Sequence, residues 1–264
     1  MFRRLTQALR LLARSIPGPS SDEGSPRGGE VPSEEAPDRA RRAPAARRAS
    51  QAPDRAARYF DLHDDFRTPD RRELSDPVSL DGRKMNSVWF FTSGAAVPHR
   101  GRLKLTAEPP GRPLDFSLAG AGLTPVVHAS VAAIFRELAP DDVQLIPVEV
   151  EREPESFFIL VATRLVRCLD ETACAEVSHY TAEDGPPERV GHYRTVRGLR
   201  IDPVKTEGAR VLRTWGWPVS LIVSEGIKEA LEHAGVSGVR FAEVTPPAAP
   251  RKRRRKSRSK PRRG

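Results

Sequence analysis

The stretch from Arg213 to Val244, RTWGWPVSLIVSEGIKEALEHAGVSGVRFAEV, decides the fold. Val219 to Val223 is a short apolar run rich in β-branched residues, which suits a buried strand. Ser224 stands where a helix N-cap belongs, with its hydroxyl placed to accept from the free amide of Ile227. Ile227, Ala230, Leu231 and Ala234 recur at helical spacing and form one apolar stripe. This predicts a helix from Glu225 to about Ala234, with Glu225 favoured by the helix dipole. Gly235 suits a left-handed C-cap. Val239 to Val244 then alternates apolar and polar residues, as a half-buried strand does.

A second copy of this pattern lies 96 positions earlier. Val127, His128 and Val131 align with Val223, Ser224 and Ile227. Ile134, Phe135 and Leu138 align with Ala230, Leu231 and Ala234, and Val143 and Leu145 align with Val239 and Phe241. The first unit is therefore expected as strand, helix from about Ala129 to about Leu138, and strand Val143–Val150. An ancient duplication and a chance likeness of two equivalent units both fit this pattern. Two copies at this spacing are not a solenoid.

Further strands are expected at Val88–Thr92, Leu103–Ala107, Val177–Tyr180, Leu199–Asp202 and Ala209–Arg213. Phe157–Cys168 is expected as one strand, or as two joined by a bend. Pro113–Leu118 leads into the first unit. Strands outnumber helices and do not alternate with them, so the fold class is α+β, a single strand-rich domain with two strand–helix–strand units.

Composition sets the boundaries. Residues 1–57 are rich in Arg, Pro and Ala, and residues 248–264 are almost all Arg, Lys, Ser and Pro. Neither can bury enough apolar surface to offset its chain entropy, so both are expected to be disordered, leaving an α+β domain at 58–247. The net charge of +9 divides unevenly. Residues 1–57 hold 11 basic and 7 acidic side chains, residues 58–248 hold 23 and 28, and residues 249–264 hold 10 and none. The domain is mildly acidic, the reverse of a nucleic-acid-binding domain. The basic run Arg251–Arg263 can offer weak, non-specific contact to nucleic acid or acidic lipid.

Met1–Ile16 carries Leu5, Leu9 and Leu12 on one helical stripe among arginines, which reads as a frayed helix, a surface-seeking amphipathic helix or a start placed too far upstream. Arg10 and Arg14 interrupt any signal-peptide core, and no apolar run reaches the length of a membrane span. Cys168 and Cys174 match neither a zinc nor a redox spacing and read as ordinary thiols of a reducing cytoplasm, with a disulfide as the alternative.

The chain carries no phosphate loop, dinucleotide fingerprint, zinc-protease pair or nucleophile elbow, and no catalytic, cofactor or metal residue is assigned. His63-Asp64-Asp65 sets a base beside two acids, but neighbours on an extended segment point apart. His128 stands at a cap position, which favours a structural role. Two groups are candidate interface residues. Glu149, Glu151, Glu153 and Glu155 alternate and can line one strand face, either as a patch for a basic partner or as a guard against edge pairing. Trp215 and Trp217 form the densest aromatic cluster, of a type enriched at interface hot spots as well as in cores, and Gly216 and Pro218 make a rigid turn there.

Several blocks together resemble a known family. They are Pro113-Leu114-Asp115-Phe116 with Leu138-Ala139-Pro140; Val143 to Val148; Glu183-Asp184-Gly185 with Gly191-His192-Tyr193-Arg194; and Trp215-Gly216-Trp217 with Ile222-Val223-Ser224-Glu225. Gly198 to Pro203 and Gly238 to Phe241 fit as well. Their order resembles bacterial polymorphic-toxin immunity protein family eleven, of the myxobacterial type, over about 58–244. The resemblance implies a small cytoplasmic protein that binds and neutralises a cognate protein toxin without turnover. It transfers no active-site residues, and the basic tails are not part of its pattern. A nucleic-acid-associated accessory protein acting through those tails is the alternative.

Overall fold

The computed structural model describes residues 57–85, 89–98, 102–108, 111–121, 123–183 and 187–245. Strands β1 (Tyr59–Asp64), β2 (Glu73–Leu74), β3 (Val78–Ser79), β4 (Leu103–Leu105), β5 (Ala107–Glu108), β6 (Phe116–Ala119) and β7 (Thr124–His128) precede helix α1 (Ala129–Leu138). Then come β8 (Val143–Val150), β9 (Phe157–Ala162), β10 (Leu165–Val166), β11 (Glu176–His179), β12 (Tyr193–Arg197), β13 (Val211–Thr214) and β14 (Trp217–Ser224). Helix α2 (Glu225–His233) and β15 (Val239–Glu243) close the described chain. The class is α+β. The expected tails lie outside the described residues.

A six-stranded sheet runs β3-β4-β8-β9-β7-β6, and a five-stranded sheet runs β10-β13-β14-β1-β15. Two short pairs, β2–β5 and β11–β12, stand apart from them. In each large sheet the two strands of a strand–helix–strand unit flank a third strand that runs antiparallel to both. β9 lies between β7 and β8, and β1 lies between β14 and β15.

The registers of the two halves coincide. Val127 faces Phe158 as Val223 faces Phe60. Leu145 faces Leu160 as Phe241 faces Leu62. The hairpin partners agree too, with Phe116 opposite Val127 and Val211 opposite Val223. Even the helix starts match, because Ala129 N donates to Ser156 O and Glu225 N to Arg58 O. The four-strand cores β8-β9-β7-β6 and β15-β1-β14-β13 are thus two equivalent units with one helix each.

One core serves both halves. Phe116, Val127, Val131, Phe135 and Leu160 of the first pack with Phe60, Leu62, Val211, Val223, Ile227 and Leu231 of the second. Alternation along β9 sends Phe158, Leu160 and Ala162 into this core, and Phe157, Ile159 and Val161 into a second one on the other sheet face. Tyr59, Leu212 and Ile222 face a third. Burial on both faces explains why the central strands read as unbroken apolar runs.

The halves also close on each other reciprocally. Asp115, ahead of β6, accepts from Ser237 N at 2.8 Å and Ser237 Oγ at 2.6 Å in the loop before β15. Asp142, ahead of β8, accepts from Arg210 N at 2.6 Å and Val211 N at 3.3 Å at the start of β13. Each half therefore uses its helix–strand loop to hold the outer hairpin of the other, as in an isologous interface.

Some expectations do not hold. Trp89–Phe91 forms a turn rather than a strand, with Trp89 and Phe91 buried as anchors. Leu199–Asp202 makes only a single bridge, between Ile201 and Leu169. Phe157–Cys168 does bend into two strands, β9 and β10. Ser224 is the N-cap of α2, but its side chain makes no cap hydrogen bond. Backbone pairing with Arg58 serves that end of the helix, and Arg58 Nη1 also pairs with Glu225 at 2.7 Å.

Candidate functional site

The four glutamates do not share a strand face. β8 ends at Val150, and Arg152 takes a left-handed backbone, with φ of 66°, between Glu151 and Glu153. That kink breaks the period of two on which the expected stripe depends. Only Glu149 lies on the strand; the others line the connection to β9, around a groove of about 530 Å³ also lined by Arg102, Lys104 and Phe158. Each acid has a basic neighbour. Glu149 pairs with Arg102, Glu151 with Arg152, Glu153 with Arg72 and Glu155 with His128. A mutually paired set presents much less net charge than its composition suggests.

The two tryptophans part company. Trp217 is the first residue of β14 and is 7% exposed, so it packs rather than presents a surface. Trp215 occupies the turn before it and is half-buried. Gly216 holds that turn at φ of 76°, and a Cβ there would meet the Tyr193 ring at 2.9 Å. This close approach lets the β11–β12 ribbon dock on the β13–β14 turn. Tyr193 N donates to Gly216 O at 3.3 Å, and the His192 ring meets Trp215 edge-on at 4.8 Å. Two blocks that carry the family resemblance, Gly191 to Arg194 and Trp215 to Trp217, are brought together here.

Two arginines bear on His192, whose ring meets that indole. The Arg167 guanidinium lies 3.4 Å from the Trp215 ring centre. Arg189 ends a single 3-10 turn, Pro187–Arg189, and is 3% exposed. Its Nη1 and Nη2 atoms are buried without a hydrogen-bond partner, and its guanidinium stands 5.8 Å from the Tyr180 ring. Burial lowers the His192 pKa, and the charges of Arg189 and Arg167 lower it further. On the ribbon side, Glu171 is engaged by Tyr193 Oη at 2.9 Å and by His179 at 3.3 Å. Sequence reading found Trp215 and missed Arg167, Arg189 and His192, because no spacing signal joins positions that only the ribbon's docking assembles.

The remaining candidates have structural duties. His63 pairs with Asp61 at 3.2 Å, Asp64 with Arg71, and Asp65 accepts from Arg67 N, so the three do not converge. His128 caps α1, its Nδ1 accepting from Ser130 N at 3.3 Å. Arg213 is 1% exposed and donates to Val219 O; burial drops its pKa to about 10, partly offset by Asp61. Cys168 and Cys174 are free thiols. Among the described residues no cluster of His, Cys, Asp and Glu could hold a metal ion, and no helix is long and apolar enough to cross a membrane.

No curated protein matches the chain. The model of the immunity protein family (Imm11) matches residues 43–245, which takes in both equivalent halves and the docked ribbon. The chain belongs to the immunity protein family.

Proposed function

We propose that this protein binds and neutralises a cognate bacterial protein toxin by stoichiometric occlusion in the cytoplasm, without turnover. The observation that carries the reading is the family match across residues 43–245. The Trp215 surface supports it, since tryptophan, tyrosine and arginine dominate interface hot spots. The acidic groove at Glu149, Glu151 and Glu155 is a secondary contact in this reading, weakened by its internal pairing.

The test is co-expression of the full chain with the toxin domain encoded beside its gene, scoring survival and co-purification. Rescue with a one-to-one complex is the expected result. Continued killing with no complex sinks the reading for that pair. The same assay on residues 58–247 decides whether the basic tails contribute.

A further inference from the structure

We infer that Arg167, Arg189, His192 and Trp215 form an anion-binding site that takes a carboxylate side chain presented by the toxin. The inference rests on the immunity reading for the source of the carboxylate, and on geometry for the site.

The first support is the state of Arg189. A guanidinium that is nine-tenths buried with both terminal nitrogens unpartnered is unfavourable in a protein interior, and such a group calls for a specific explanation. Among the described residues Arg213 is the other buried guanidinium with idle nitrogens. It differs because Asp61 lies within electrostatic reach and opposes the loss of its charge. For Arg189 no ion pair is seen among the described residues, and the charges that bear on its neighbour His192 are those of Arg189 and Arg167. Two cations thus meet at one imidazole, and no carboxylate pairs with either among the described residues.

The second support is the shape of the surface. Trp215 carries the Arg167 guanidinium over its ring at 3.4 Å, a contact that holds the group without consuming its donors. A planar fork held this way suits a carboxylate, which accepts two parallel hydrogen bonds. His192, edge-on to the same indole, ties Arg189 to this surface, since its backbone N donates to Arg189 O at 2.9 Å. Charge complementarity therefore selects an acidic group, and a protein partner supplies it as Asp or Glu.

The experiment uses the full-length protein. Acetyl-glutamate-amide is titrated while the Trp215 indole N–H is followed by NMR, with Trp215→Phe to assign the signal. A saturable shift is expected, lost or at least about tenfold weaker in Arg167→Gln and Arg189→Met, and absent with acetyl-glutamine-amide. Inorganic phosphate saturating the site while the carboxylate does not overturns the assignment to a carboxylate. No saturable shift with either probe overturns the site. Against the toxin, Arg167→Gln should weaken affinity roughly 30-fold, as for a hot-spot contact. Arg167 is exposed, so its replacement leaves the fold in place and unchanged affinity overturns the docking role. A wild-type chain that answers the carboxylate probe but binds no toxin overturns the toxin as the source, and marks a failure of the immunity reading rather than of the site.

Discussion

Gly238 sits where the two halves meet, and its missing side chain is what lets them meet. Its φ is 83°, and a Cβ there would lie 2.2 Å from the Phe116 carbonyl oxygen and 3.0 Å from Leu114 Cβ. Gly235, three residues earlier, has φ of 65° with open space around the same position. Gly235→Ala should therefore cost only the left-handed penalty, about 1 to 2 kcal/mol. Gly238→Ala adds a clash with backbone that cannot rotate away, and should lower stability clearly further in urea unfolding. Equal losses at the two glycines would show that the joint yields. The thiols give a second test at this scale. Cys168 is fully buried, and its pKa is pushed up to about 11, chiefly by burial. Cys174 is half-buried, and its sulfur accepts from Arg200 N at 3.2 Å. In the native protein at pH 8, Ellman's reagent should find one slow thiol, Cys174, with Cys168 reacting only after unfolding. Two fast thiols would contradict the burial.

Among the elements, the units that were legible in the sequence are those built from contiguous residues. Both helices and the strands beside them follow from apolar spacing, and α1 and β8 begin and end where the pattern puts them. The strand β9 was legible as an apolar run, but the threading of β9 and β1 between those strands was not, because β1 reaches β14 from the far end of the domain. The glutamate stripe failed for a local reason, the left-handed Arg152, which no composition rule announces. The site at Trp215 was legible only in its tryptophan, since its other groups arrive from the residue after β10, the 3-10 turn and the residue before β12. The element-scale prediction concerns the reciprocal closure. Asp115→Ala and Asp142→Ala each remove a carboxylate that accepts two hydrogen bonds across the joint. Each should cost about 2 to 3 kcal/mol in denaturant unfolding. The two contacts share no residue, so their losses should add. A large coupling would mean that the two contacts open together.

At the scale of the whole molecule, the equivalence of the halves does not make them independent. Their helices pack on one shared core, so neither half can bury its helix face alone. Heating should then give one cooperative transition rather than two, despite the doubled architecture. What ties the ends of the domain together is the clasp at Arg58, whose guanidinium reaches Glu225 on α2 and Glu243 on β15, both at 2.7 Å. The hydrogen bond from Arg58 holds the Glu243 carboxyl below its ordinary value of 4.5. A depressed folded pKa adds stability that is fully present above the unfolded value and is lost as pH falls through the folded one. The clasp is about one-third exposed, so water and salt screen it and the effect is modest. Glu243→Gln should therefore lower the melting temperature slightly at neutral pH. The two melting curves should converge as pH drops below about 4.5, since protonation then removes from the native chain what the substitution has already removed. A gap that widens in acid would mean that Glu243 acts there as a hydrogen-bonding group and not as the charged half of the clasp.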